Sequence, residues 1–167
     1  AGFVVVAPYL FHRTNVTHQE LGDFDYADTT RWERAFSLKA SLKDDEIVQD
    51  MLTAANCLDA MDEVGPKIGI TGFCIGGRIA YLLATRTDEF AACADFYGGE
   101  VEAAWGDGPT PLSETANLNC PLAGYFGNDD YNPTPEAVDV LEAELKRLGK
   151  RYEFHRYEGA NHAFNDP

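Results

Sequence analysis

The chain has 167 residues, 45% of them hydrophobic, which is enough for one domain with a substantial core. Its formal charge of −15, from 28 acidic against 13 basic residues, argues against nucleic acid and anionic lipid as partners. No run approaches the roughly 18 apolar residues of a membrane helix and no signal peptide is visible; the four cysteines, at 57, 74, 93 and 120, show neither Cys-x-x-Cys nor zinc spacing and fit a reducing cytoplasm.

The elements are predicted in chain order as follows. An apolar run at 2–7 reads as a strand and leads into a long polar, aromatic loop over about 9–35. Ser41-Leu42-Lys43-Asp44 resembles a capping box with Asp in place of Glu, and Asp44 or Asp45 could cap equally well. The helix behind it, about 45–63, places Ile47, Met51, Ala54, Leu58 and Met61 on one stripe. A strand at 67–71, a glycine-rich turn, a helix at 76–86 and a strand at 91–97 follow. After another loop come a strand at 121–126, a helix at 135–148 and a last strand at 151–157. Thr134 is the expected N-cap of that helix, with Pro135 at its first position and Gly149 closing it. Strands alternating with helices imply an α/β fold in one domain over 1–167: a mainly parallel sheet with right-handed crossovers and helices on both faces. In such sheets the ligand crevice lies beyond the carboxyl ends of the strands.

The turn Gly72-Phe73-Cys74-Ile75-Gly76-Gly77 is the most informative stretch. It joins a strand to a helix and carries a nucleophile at its apex, with cysteine at the serine position of the Gly-x-Ser-x-Gly elbow. Glycines at 72 and 76 let neighbouring backbone close around the exposed side chain. The helix N-terminus aims free N–H groups at the sulfur and favours thiolate. Such a nucleophile needs a base and a group to orient the base. Asp129, in the Gly127-Asn128-Asp129-Asp130 segment after the strand at 121–126, and His162, after the last strand, supply them in the order nucleophile, acid, histidine.

These segments resemble the dienelactone hydrolase family, which uses a Cys-Asp-His triad on an α/β-hydrolase fold. The likeness is carried by Gly-Phe-Cys-Ile-Gly-Gly (72–77), Phe-Tyr-Gly-Gly (96–99), Gly-Asn-Asp-Asp-Tyr-Asn-Pro (127–133) and Gly-Ala-Asn-His-Ala-Phe (159–164). The opening Gly2-Phe3-Val4-Val5-Val6-Ala7-Pro8-Tyr9-Leu10-Phe11 also fits a family strand that ends near the pocket. The family pattern Gly-x-Asp-x-x-x-Pro lands its aspartate on Asp129, because Pro133 lies four residues later. One departure bears on substrate. The family's founding enzymes hold a substrate carboxylate with two arginines; Asp166 stands where one belongs, and the other falls near Arg31 or Arg34. That departure puts the anionic dienelactone in question and leaves the hydrolase chemistry intact.

The resemblance implies hydrolysis of a small ester or lactone through a thioester on Cys74, with His162 as base, Asp129 orienting it and the Ile75 N–H holding part of the oxyanion. Tyr9, Arg31, Arg34 and Tyr97 are candidate substrate contacts, and Phe11, Phe24, Tyr26, Trp32, Phe36 and Tyr131 are further aromatic candidates for the pocket. No metal or organic cofactor is implied, since His12, His18 and His155 form no ligand cluster with one another. The competing readings are a thioesterase or general carboxylesterase on the same fold and, from another class, a non-catalytic binding module. The resemblance also implies a domain truncated at both ends. The family's preceding strands, second oxyanion N–H and glutamate are not matched, and its final helix would begin beyond residue 167. A homodimer formed through exposed sheet is the corresponding expectation.

Overall fold

The computed structural model describes residues 2–17, 20 and 29–165, the side chains of 29–32 excepted. Two helices come first, α1 (Thr29–Ala40) and α2 (Asp44–Asp59). Then β1 (Ile68–Phe73), α3 (Ile75–Arg86), β2 (Phe90–Phe96), a 3₁₀ turn (Leu112–Asn117), β3 (Leu122–Gly127), α4 (Pro135–Arg147) and β4 (Tyr152–Tyr157) complete an α/β fold. The four strands form one parallel sheet in the order β1-β2-β3-β4.

Spatial order equals chain order, so right-handed crossovers bring successive connections onto the same face. Ala80, Tyr81 and Ala84 of α3 pack there with Leu141 and Leu145 of α4 against Cys93 and Leu122 of the sheet. On the flank of α3, Ile79, Leu82 and Leu83 pack with Ile47 and Ala55 of α2. Helix α3 is buried almost all round, the pattern of a helix inside a core rather than on a surface. Each fully buried leucine in it, Leu82 and Leu83, contributes about 1.5–3 kcal/mol. The other face carries an in-register ladder of rings, Phe73, Phe96, Tyr125 and His155, one from each strand. Their centroids are 4.7, 4.4 and 5.0 Å apart in sequence along the ladder. Helices expected to cover that face are not among the described residues.

Several expectations change. Residues 2–7 form no strand, because they pair with none of the described strands, and Phe3 and Val5 are 97% and 80% exposed. Helix α1 occupies the end of the stretch expected as loop. Ser41 does not cap α2; its hydroxyl donates to the Leu38 carbonyl at the end of α1, 2.7 Å away. Asp44 is drawn instead into a buried ion pair, accepting from both terminal nitrogens of Arg78 at 2.7 and 3.1 Å and from the Trp105 N–H at 2.9 Å. That pair ties α2, α3 and the loop after β2 together. Helix α2 ends at Asp59, so Met61 lies past it and is exposed. The ends of α4 are as predicted: the Thr134 hydroxyl accepts from the Ala137 N–H at 3.3 Å, and Gly149 takes a φ of +63°. No helix among the described residues is long and apolar enough to cross a membrane.

Candidate active site

Cys74 sits between β1 and α3 with φ 55° and ψ −119°, a conformation that costs a non-glycine residue on the order of 1–3 kcal/mol. The turn is clamped by backbone. The Cys74 N–H donates to the Phe96 carbonyl at 3.0 Å, and the N–H groups of Gly77 and Arg78 donate to the Cys74 carbonyl at 2.9 and 3.2 Å. A Cβ at residue 72 would lie 2.0 Å from the Gly76 carbonyl oxygen, so only glycine fits there. The second obligatory glycine is Gly77 rather than Gly76. A Cβ at 77 would lie 2.3 Å from an Asp95 carboxylate oxygen, whereas one at 76 would meet nothing within 4 Å. The clamp leaves the Cys74 side chain exposed, at the start of α3. Ile75 is the first residue of that helix, so its N–H has no carbonyl to bond within it.

His162 lines the same pocket as Cys74. Its Nδ1 lies 2.9 and 3.2 Å from the two carboxylate oxygens of Asp130. The acid that meets the histidine is therefore Asp130, not Asp129 as expected. The reason is local. The N–H groups of Asn128 and Asp129 donate to the Tyr157 and Ala160 carbonyls at 3.0 Å each, which holds this stretch against the loop that carries His162. The turn at 128–129 then leaves Asp129 exposed and Asp130 buried. The Asn132 N–H donates to the Asp130 carboxylate at 2.8 Å and fixes it further. Cys74, as a thiolate, raises the His162 pKa to about 9; burial opposes the rise and the Asp130 carboxylate adds to it. Tyr97 packs edge-on against the imidazole, 5.0 Å between centroids, and its hydroxyl donates to Asn165.

The pocket over these residues encloses about 610 Å³. Of the sequence candidates, Phe36, Tyr97 and Tyr131 line it. Tyr9 and Arg34 do not: the Tyr9 hydroxyl donates to the Val16 carbonyl at 2.8 Å, and Arg34 pairs with Glu20 at 3.4 Å. Phe11 packs near α2 instead. Phe24, Tyr26 and Asp166 and the side chains of Arg31 and Trp32 lie outside the described residues. Sequence reasoning missed Lys39, Glu100, Trp105 and Asn132, which also line it. Only the Tyr97-Gly98-Gly99-Glu100 turn at the end of β2 carried a signal, since that end lies beside the elbow.

A family model described as the dienelactone hydrolase family matches residues 1–167. A protein of Salmonella typhimurium named "Putative carboxymethylenebutenolidase" is 28% identical over 165 residues, covering 98% of this chain and 58% of its own length. A Synechocystis protein of the same name is 28% identical over 166 residues, covering 98% and 65%. The chain thus spans less than two thirds of these curated relatives. The crystal structure of a "Putative Dienelactone Hydrolase" from Klebsiella pneumoniae superposes with a TM-score of 0.77 at 25% identity, covering 93% of this chain and 62% of that one. With a cysteine elbow, a histidine–aspartate pair at the same sheet edge and a family match along its whole length, the chain belongs to the dienelactone hydrolase family.

Proposed function

We propose that the protein hydrolyses small esters or lactones through a thioester on Cys74. The observation that carries this reading is the position of His162, which lines one pocket with Cys74 and has the Asp130 carboxylate 2.9 Å from its Nδ1. His162 takes the thiol proton, and Asp130 holds the Nδ1–H and the positive charge. Sulfur attacks the carbonyl carbon, and the oxyanion accepts a hydrogen bond from the Ile75 N–H. Collapse breaks the bond to the leaving oxygen, which takes the proton from the imidazolium. Water then gives a proton to His162 and attacks the thioester carbon; the C–S bond breaks, the acid departs and the thiol regains its proton. The relatives' names, carboxymethylenebutenolidase and, for a Bradyrhizobium relative, a "Probable" lactonase, support a lactone or ester as substrate.

A panel of p-nitrophenyl esters, an acyl thioester and an unsaturated lactone tests the reading. Turnover of at least one is expected, with loss on the order of 10⁴-fold or more in Cys74→Ala. A preference for the thioester would redirect the reading to a thioesterase, and no turnover by folded protein would leave a binding module. Brief iodoacetamide treatment supplies an internal control, because Cys57 is exposed like Cys74 but lies on α2 and does not line the pocket that holds His162. Cys74 should label first in peptide mass spectra; equal labelling of the two would sink the activated nucleophile.

A further inference from the structure

One stretch of the pocket lining has side chains that take no part in the chemistry above. It is made by Lys39 at the end of α1, Glu100 in the turn after β2, Trp105 and the side-chain amide of Asn132. Glu100 has φ +59° and Tyr97, at the other end of the same turn, φ +43°. Neither residue adopts that left-handed conformation without cost, and such outliers gather at ligand sites. The turn delivers the Glu100 carboxylate to Lys39, with which it is ion-paired. It also accepts from the Trp105 indole at 3.3 Å and the Asn132 amide at 3.4 Å. Burial works against its ionisation, yet Lys39 holds the carboxyl below its ordinary range.

The other cation in the described pocket wall is answered as well. Arg78 gives its terminal nitrogens to Asp44 and the Ala103 carbonyl and its Nε to the Glu100 carbonyl at 3.2 Å, with its guanidinium 3.7 Å over the Trp105 ring. Both positive charges are therefore matched by a carboxylate of the protein itself. A substrate carboxylate arriving here would meet Glu100 before it could use Lys39, and like charges side by side repel strongly in a partly dry site. An uncharged hydroxyl can accept from Lys39 and donate to Glu100 at once.

We propose that Glu100 is a specificity-determining residue, an internal counter-ion to Lys39 that rejects anionic substrates and admits uncharged, hydroxyl-bearing esters or lactones. This inference rests on the hydrolase reading for its substrate class, but its test does not need turnover. In the Cys74→Ala protein, 4-nitrobenzoate and 4-nitrobenzyl alcohol are titrated and followed by quenching of tryptophan fluorescence. The alcohol should bind the tighter. Adding Glu100→Gln should shift the ratio toward the carboxylate by about tenfold, because Lys39 is released. Lys39→Gln should shift it the opposite way, leaving Glu100 unopposed. A ratio within twofold of the starting value in Glu100→Gln, a carboxylate already preferred with Glu100 in place, or binding of neither probe would overturn the proposal. Hydrolysis of p-nitrophenyl acetate by the unsubstituted protein is measured alongside. Its absence with the expected binding ratios would fault the hydrolase reading and leave the charge selection standing.

Discussion

The two walls of the pocket are built differently. On the Cys74 wall, position is set by backbone: a carbonyl 2.0 Å from where a Cβ of residue 72 would be, an N–H bond from Cys74 across to β2, and loop carbonyls that hold the 128–130 stretch. On the Lys39 wall, position is set by side-chain charge: Lys39 on Glu100, Arg78 on Asp44, and Trp105 between them. Backbone clamps need particular small residues at particular spacings. Charge pairs need only complementary ends that meet in space. The first wall is suited to hold reacting groups within the narrow tolerance that catalysis demands, while the second can change its selectivity by one substitution and leave the elbow alone.

The largest expected effect lies on the backbone-set wall. Asp130→Asn should lower kcat/KM by roughly 10³–10⁴-fold, since the amide cannot hold the same imidazole tautomer or its positive charge. Asp129→Asn should stay within about twofold, as that side chain is exposed. Steady-state kinetics on one ester would separate the two, and equal losses would break the assignment of the acid. A slightly smaller effect concerns stability. Gly72→Ala should destabilise by about 4 kcal/mol or more, because its Cβ collides with backbone that cannot move aside. Gly76→Ala should be neutral or stabilising by about 0.5–1 kcal/mol, since space is open and alanine favours the helix. Denaturant midpoints would show the split, and similar losses at both glycines would mean the clamp is misread.

The charge-set wall should fail in its own way. Asp44→Ala leaves the Arg78 guanidinium, only 1% exposed, without its carboxylate, at a loss of about 3–5 kcal/mol. Replacing the pair together, Asp44→Leu with Arg78→Met, should recover most of that loss, because it is the orphaned charge rather than the missing contact that is expensive. Thermal melts of the single and double variants would check it. A double variant no better than the single would show that the hydrogen bonds from Arg78 to the 100–103 loop carry the stability instead.

The same contrast explains what could be read from the sequence. The elbow, the alternation of strand and helix from 67 to 157 and the capped helix α4 are local or periodic, and they came through with ends within one or two residues, whereas α2 stops four residues short of its expected end. The two adjacent aspartates differ only in which side of the chain they face, a one-residue distinction that the family spacing resolved the wrong way. The run at 2–7 has the composition of a strand, but a strand exists only through a partner's hydrogen bonds. Helix α1 gives a weak pattern because Leu38 is its one buried side chain among those described. The Lys39–Glu100 and Arg78–Asp44 pairs join residues 61 and 34 positions apart, and neither spacing nor periodicity marks them in advance.

Asp95 lies where the two walls meet and supplies the smallest effect. Its carboxylate is fully buried beside Gly77 of the elbow and accepts from the Gly98 N–H of the turn at 2.8 Å, while its second oxygen has no partner among the described residues. Burial pushes its pKa up from 3.8 to about 7, against the pull of the Gly98 hydrogen bond. Between those values the folded chain holds a proton that the unfolded chain has released. Stability should therefore fall as pH rises from about 4 to about 7 and level off above, other groups apart. Asp95→Asn removes the titration. It keeps the acceptor for Gly98 but buries an amide N–H₂ without a partner, so the gain is partial: about 1–2 kcal/mol at pH 8 and none near pH 4. Urea unfolding of the two proteins at both values measures it. An equal offset at pH 4 and pH 8 would show that Asp95 does not change its charge in this range, and that the junction of the two walls tolerates a buried carboxylate ion.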